Sequence, residues 1–204
     1  MQTQGKCWFS LSDLAQSHDR VVIDSSVILS TDVSRDQQEW YHENLRRAFK
    51  EHENIITVSD VVGEIEPSLS NYNGELANLI RSRTGKEESS FSRYNRFIGY
   101  IVRSSEGDAI LGPNKKFPFT DIKLAAFAFS LSNKDNSVAF ASSDRTLNDV
   151  VSRFPFPTEV ESDLVRASSP INVYSFVQSL SFFTSHELES RKYGRKHTRN
   201  IIHK

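Results

Sequence analysis

Two short apolar runs, RVVID at 20–24 and NSVAFASSD at 136–144, each stop on an aspartate, and no other feature of the chain narrows its fold as much. Continuous apolar runs bounded by polar turn residues are the pattern of strands buried on both faces of a parallel sheet. An ionised carboxylate at the rim of such a strand is costly to desolvate, so it needs hydrogen bonds, a cation or water. NIITVS at 54–59 and INVYS at 171–175 have the same strand-like character.

Helical patterns fill the intervals: DQQEWYHENLRRAFKEH at 36–52, SDVVGEIE at 59–66, ELANLIRSR at 75–83 and FSRYNRFIGYIVRS at 91–104. TDIKLAAFAFSLS at 120–132 is apolar on nearly every face, which predicts a central buried helix. Strands alternating with helices predict an α/β sandwich around a mostly parallel sheet, with ligands collecting at the carboxyl ends of the strands. If RVVID and NSVAFASSD are parallel neighbours, Asp24 and Asp144 project from one edge. Asp121, in the first turn behind Thr120 as N-cap, and Glu64, on the helix beginning at Ser59, can reach the same edge; Glu66 and Asp60 are alternatives to Glu64.

Each acid also has a plain explanation. A strand-ending Asp often bonds its own turn, Asp121 at a helix N-terminus gains about 0.3–1 kcal/mol from the macrodipole, and Glu64 fits a solvated helix face. Together, however, the four acids repel one another, and a hard divalent cation resolves that conflict with carboxylate and water oxygens. Such sites leave positions for a phosphate and an attacking water, the equipment of a phosphodiesterase.

The ordered series VVIDSSVIL, ITVSDVVGEIE, FTDIKLAAFAFSLS, VAFASSDRTL and INVYSFVQSL, spanning residues 20 to 183, resembles the PIN-domain nuclease family. The resemblance implies a PIN-like three-layer sandwich and an endoribonuclease that hydrolyses RNA phosphodiester bonds with water activated by Mg²⁺ or Mn²⁺, one or two ions. It implies Asp24, Glu64, Asp121 and Asp144 as catalytic metal ligands, with Ser26 and Ser142 orienting them and Ser25 adjacent. It also implies a homodimer, an antitoxin-like or other protein partner, and a toxin or defence role. The chain departs from compact toxin members of the family. Its first strand begins near residue 20, RFPFPTEVESDLVRASSP lengthens the region after Asp144, and a basic tail follows. Two alternatives stay open: a non-catalytic PIN-like module binding RNA or protein, and a structure-specific DNA nuclease. Other acidic folds fit less well: DSSVI puts Ile28 where an adhesion-type metal site wants its second serine, and Ser26 where a dehalogenase-type phosphatase wants its second Asp.

A net charge of −1 and a pI near 6.6 exclude a uniformly basic nucleic-acid binder, so substrate contacts are expected from local patches. Arg93, Arg96 and Arg103 share one side of the 91–104 pattern, and Arg191, Lys192, Arg195 and Lys196 crowd the tail, where Tyr193 can stack on a base. A solvated helix face and a disordered tail are the plain alternatives. One cysteine, Cys7, permits no intrachain disulfide, the histidines lack zinc-site spacing, and no run reaches the ~20 apolar residues of a membrane span. The expected protein is soluble and cytoplasmic, with an extension at 1–19, a nuclease domain at 20–185 and a basic tail at 186–204.

Overall fold

The computed structural model describes residues 11–29, 35–69, 74–84, 91–103, 120–132, 135–153 and 172–175. Among these, β1 (Arg20–Ile23), β2 (Ile55–Ile56), β3 (Val138–Ser142) and β4 (Asn172–Ser175) form one four-stranded sheet in the order β2-β1-β3-β4. Every pairing is parallel, with Val21 beside both Ile55 and Ala139, and Phe140 beside both Val22 and Val173. Val21, Val22, Ile23 and all of β3 are buried. Successive side chains point to opposite faces, so both faces of the central strands are covered, and the fold is an α/β sandwich. Truncating a core ring such as Phe140, fully buried on β3, should cost about 3–5 kcal/mol.

The helices are α1 (Leu11–Ser17), α2 (Ser25–Leu29), α3 (Arg35–Glu51), α4 (Ser59–Leu69), α5 (Gly74–Ser82), α6 (Phe91–Arg103), α7 (Thr120–Leu131) and α8 (Arg145–Arg153). As its composition predicts, α7 is buried almost all round, from Ile122 to Ser130 with Lys123 half-buried. It contacts β1 and β3 on one side and α6 on the other. There Phe97 stacks on Phe129 with centroids 5.7 Å apart, and Tyr94 meets Phe127 edge-on at 6.3 Å.

Several boundaries differ from the sequence expectation, each for a local reason. The NIITVS strand shrinks to Ile55–Ile56 because the Thr57 hydroxyl, at 2.8 Å, takes the Ile23 carbonyl where the ladder would continue. Helix α4 runs past residue 66 through Pro67 to Leu69; the carbonyl that Pro67 cannot bond belongs to Gly63, which is exposed to solvent. Thr120, expected as the cap of α7, already lies inside the helix. The turn expected after Asp24 is instead helix α2, and the stretch after Asp144 is α8, whose Leu147 and Val151 are buried one turn apart. Within the segment preceding β1, α1 buries Leu11, Leu14 and Ala15 in the same core, and Asn54 donates to the carbonyls of Ala15 and His18 at 2.7 and 2.8 Å. Among the described residues, no helix is long and apolar enough to cross a membrane.

Candidate active site at the sheet edge

The strand order sets the position of the site before any side chain is considered. From β1 the chain goes first to β2 on one side and later to β3 on the other, so β1 and β3 flank a topological switch. The crevice beyond the carboxyl ends of such a pair is where open parallel sheets bind ligands. Asp24 follows β1 there, and its backbone N–H donates to the Ala141 carbonyl at 3.1 Å, which brings it alongside Ser142 at the end of β3.

Only 4 % of Asp24 is exposed, and hydroxyl groups compensate that burial. Its Oδ2 accepts from Ser26 and, at 2.7 Å, from Ser142; its Oδ1 accepts from Ser25 at 3.3 Å. Ser142 is fully buried, which rules out a solvent-facing turn role, and its Oγ also accepts the Asp144 N–H at 3.0 Å. Ser26 is tied to the same loop, since its Oγ accepts the Ser143 N–H at 3.0 Å. The two serines therefore join the ends of β1 and β3 through the carboxylate of Asp24.

Asp144 has a structural task of its own. Its Oδ1 accepts the N–H groups of Thr146 and Leu147 at 2.7 and 3.1 Å, the N-cap arrangement for α8. Its side chain is otherwise exposed, and Oδ2 has no hydrogen-bond partner among the described residues.

The remaining acids come from helices. Burial, and then the negative charges of Asp24, Asp144 and Glu64, push the Asp121 carboxyl up to about 6. Each named acid raises it, so Asp24, Asp144 and Glu64 each lie within electrostatic reach of Asp121. The alternatives to Glu64 are engaged elsewhere: Asp60 accepts from the Lys123 Nζ at 2.6 Å, and Glu66 pairs with Arg81. Glu64 is exposed on α4 and has no such partner among the described residues. Lys123 was not singled out from sequence, although a lone cation on the otherwise apolar α7 was a visible signal.

The donors that converge are carboxylate and hydroxyl oxygens, the set that suits a hard ion such as Mg²⁺ or Mn²⁺. Among the described residues no group of three or more His, Cys, Asp or Glu side chains is placed to hold a metal ion. Magnesium sites commonly use one or two carboxylates and retain several waters, so an open arrangement is compatible with that chemistry.

No family model, curated protein or solved structure matches the chain.

Of the expected nucleic-acid contacts, Arg96 and Arg103 are exposed on α6 while Tyr94, Phe97 and Ile101 are buried, and the Arg103 Nε donates to the Gly99 carbonyl at 2.8 Å. Arg93 lies in the first turn of the same helix. Arg191, Lys192, Arg195 and Lys196 lie outside the described residues.

Proposed function

We propose that this protein is a divalent-metal-dependent nuclease with a PIN-like sandwich fold that hydrolyses RNA phosphodiester bonds. The observation that supports it most is the Asp121 carboxyl, held near 6 by burial and by the three other acids of the expected set. Placing so much negative charge together costs stability unless a cation joins it. Asp24, Glu64, Asp121 and Asp144 would serve the ion, one or two of them as direct ligands and the others through its waters. When bound, Mg²⁺ or Mn²⁺ would supply charge neutralisation at the phosphate and make a water acidic enough to act as nucleophile.

The chain's own residues divide the remaining work. The hydroxyls of Ser26 and Ser142 fix the Asp24 carboxyl group in orientation by donating to its Oδ2. Asp144 is anchored through Oδ1 to α8 and presents Oδ2. Glu64, exposed and without a partner among the described residues, is free to accept a proton from a water or to bind the ion. Exposed Arg96 and Arg103 supply positive charge for a polyanion beyond the cleaved phosphate.

A second reading has one observation in its favour: the capping bonds of Asp144 give that acid a purpose without catalysis, as a binding module would allow. Labelled single-stranded RNA, incubated with Mn²⁺ with and without a chelator, separates the two. The nuclease reading expects cleavage that the chelator and Asp24→Asn each abolish. Binding in both conditions with no cleavage favours the module, and cleavage of DNA alone reassigns the substrate.

A further inference from the structure

We infer that Asn148 is a positioning residue for the acidic site, holding the β3–α8 turn that sets Ser142 against Asp24 and carries Asp144; this rests on the nuclease reading above. Asn148 lies one turn into α8 and is only 5 % exposed. Its Nδ2 donates to the Ser142 carbonyl at 2.8 Å, and its backbone N–H donates to the Asp144 carbonyl at 3.0 Å. Ser142 is the residue that joins the first and fourth acids, since its Oγ donates to Asp24 and accepts the Asp144 N–H. Asn148 thus grips, from the helix side, the backbone whose side chains orient both acids.

The other half of the amide makes the case stronger. Asn148 Oδ1 is buried and has no hydrogen-bond partner among the described residues. A buried acceptor left unpaired is costly, and native structures contain few of them. Its helix neighbours Leu147 and Val151 are buried apolar residues, and an apolar side chain at 148 would carry no such acceptor. An amide here is accounted for by the bond it gives to Ser142. The sequence carried a hint of this, a polar residue on the apolar stripe of LNDVV.

The test uses the full chain with Asn148→Leu and Asn148→Ala beside the parent. Mn²⁺ binding without RNA is followed by calorimetry, RNA cleavage by kcat and KM, and folding by thermal melts. Groups that orient metal ligands typically alter affinity or activity by about 10–100-fold, so Mn²⁺ affinity and kcat should each fall at least about tenfold in both variants. KM for RNA should stay unchanged, and Asn148→Leu should melt within a few degrees of the parent. Unchanged Mn²⁺ affinity and kcat in a folded variant overturn the inference. Loss of folding in both variants also overturns it, because the amide would then hold the core instead of the site. If the parent itself neither binds Mn²⁺ nor cleaves, the nuclease reading fails, and this inference with it.

Discussion

The two sides of the acidic site are built by different physics. On the strand side, Asp24 and Asp144 are fixed by hydrogen bonds from Ser25, Ser26, Ser142 and the first turn of α8. On the helix side, Glu64 and Asp121 have no side-chain hydrogen bond among the described residues, and Asp121 responds to burial and repulsion alone. The Lys123–Asp60 pair joins α7 to α4 within a few residues of these acids in the chain. One side is therefore organised in advance, while the other carries electrostatic strain that a bound cation would relieve. Substitutions on the strand side should damage geometry, and those on the helix side should release strain.

The largest effect expected is on Asp24. Asp24→Asn keeps similar volume, so the fold should persist, while RNA cleavage should fall more than about a thousandfold with loss of several kcal/mol of metal-assisted stabilisation. A turnover assay with a circular-dichroism melt checks both halves. Next is Ser142→Ala, which removes the donor to a buried carboxylate and the acceptor of the Asp144 N–H. It should destabilise by about 1–3 kcal/mol, read by urea unfolding, and lower cleavage about 10–100-fold.

Asp121→Asn should act in the opposite direction on stability. Because the folded carboxyl titrates near 6 and its ordinary value is 3.8, the folded state binds the proton more tightly between those values. Stability then falls as pH rises through that window and stays lowered above it. In metal-free protein at pH 7–8 the substitution should stabilise by roughly 1–2 kcal/mol after solvent screening, with no gain at pH 3, while abolishing cleavage. Paired urea titrations at the two pH values measure the difference, and equal stability at pH 7–8 would mean that the strain is absent. The smallest effect is expected at Lys123→Met. Both partners of its ion pair are about one-third exposed, so stability should change by less than about 1 kcal/mol in the same unfolding assay.

The strand side was also the more legible in sequence. Runs buried on both faces are continuous in the chain, so RVVID and NSVAFASSD announced β1 and β3, and the acids closing them followed directly. Apolar composition all round likewise announced α7 as a buried helix. What stayed hidden depended on partners distant in sequence. The shortening of β2 turns on a Thr57 hydroxyl reaching Ile23, and the preference for Glu64 over Asp60 and Glu66 turns on Lys123 and Arg81 occupying the other two acids. The role of Asp144 as the cap of α8 was open to a local reading, but α8 itself spans only 9 residues, too short a stretch to set apart from a turn despite its apolar spacing.

The central claim is that these acids share one divalent ion. Isothermal titration of Mn²⁺ into the metal-free full-length protein at neutral pH tests it most directly, with Asp24→Asn and Asp121→Asn titrated alongside. The account predicts saturable binding to the parent that weakens sharply in both variants, although the substituted residues come from different elements. Binding that survives in either variant at the parent's affinity, or none in the parent, would contradict it.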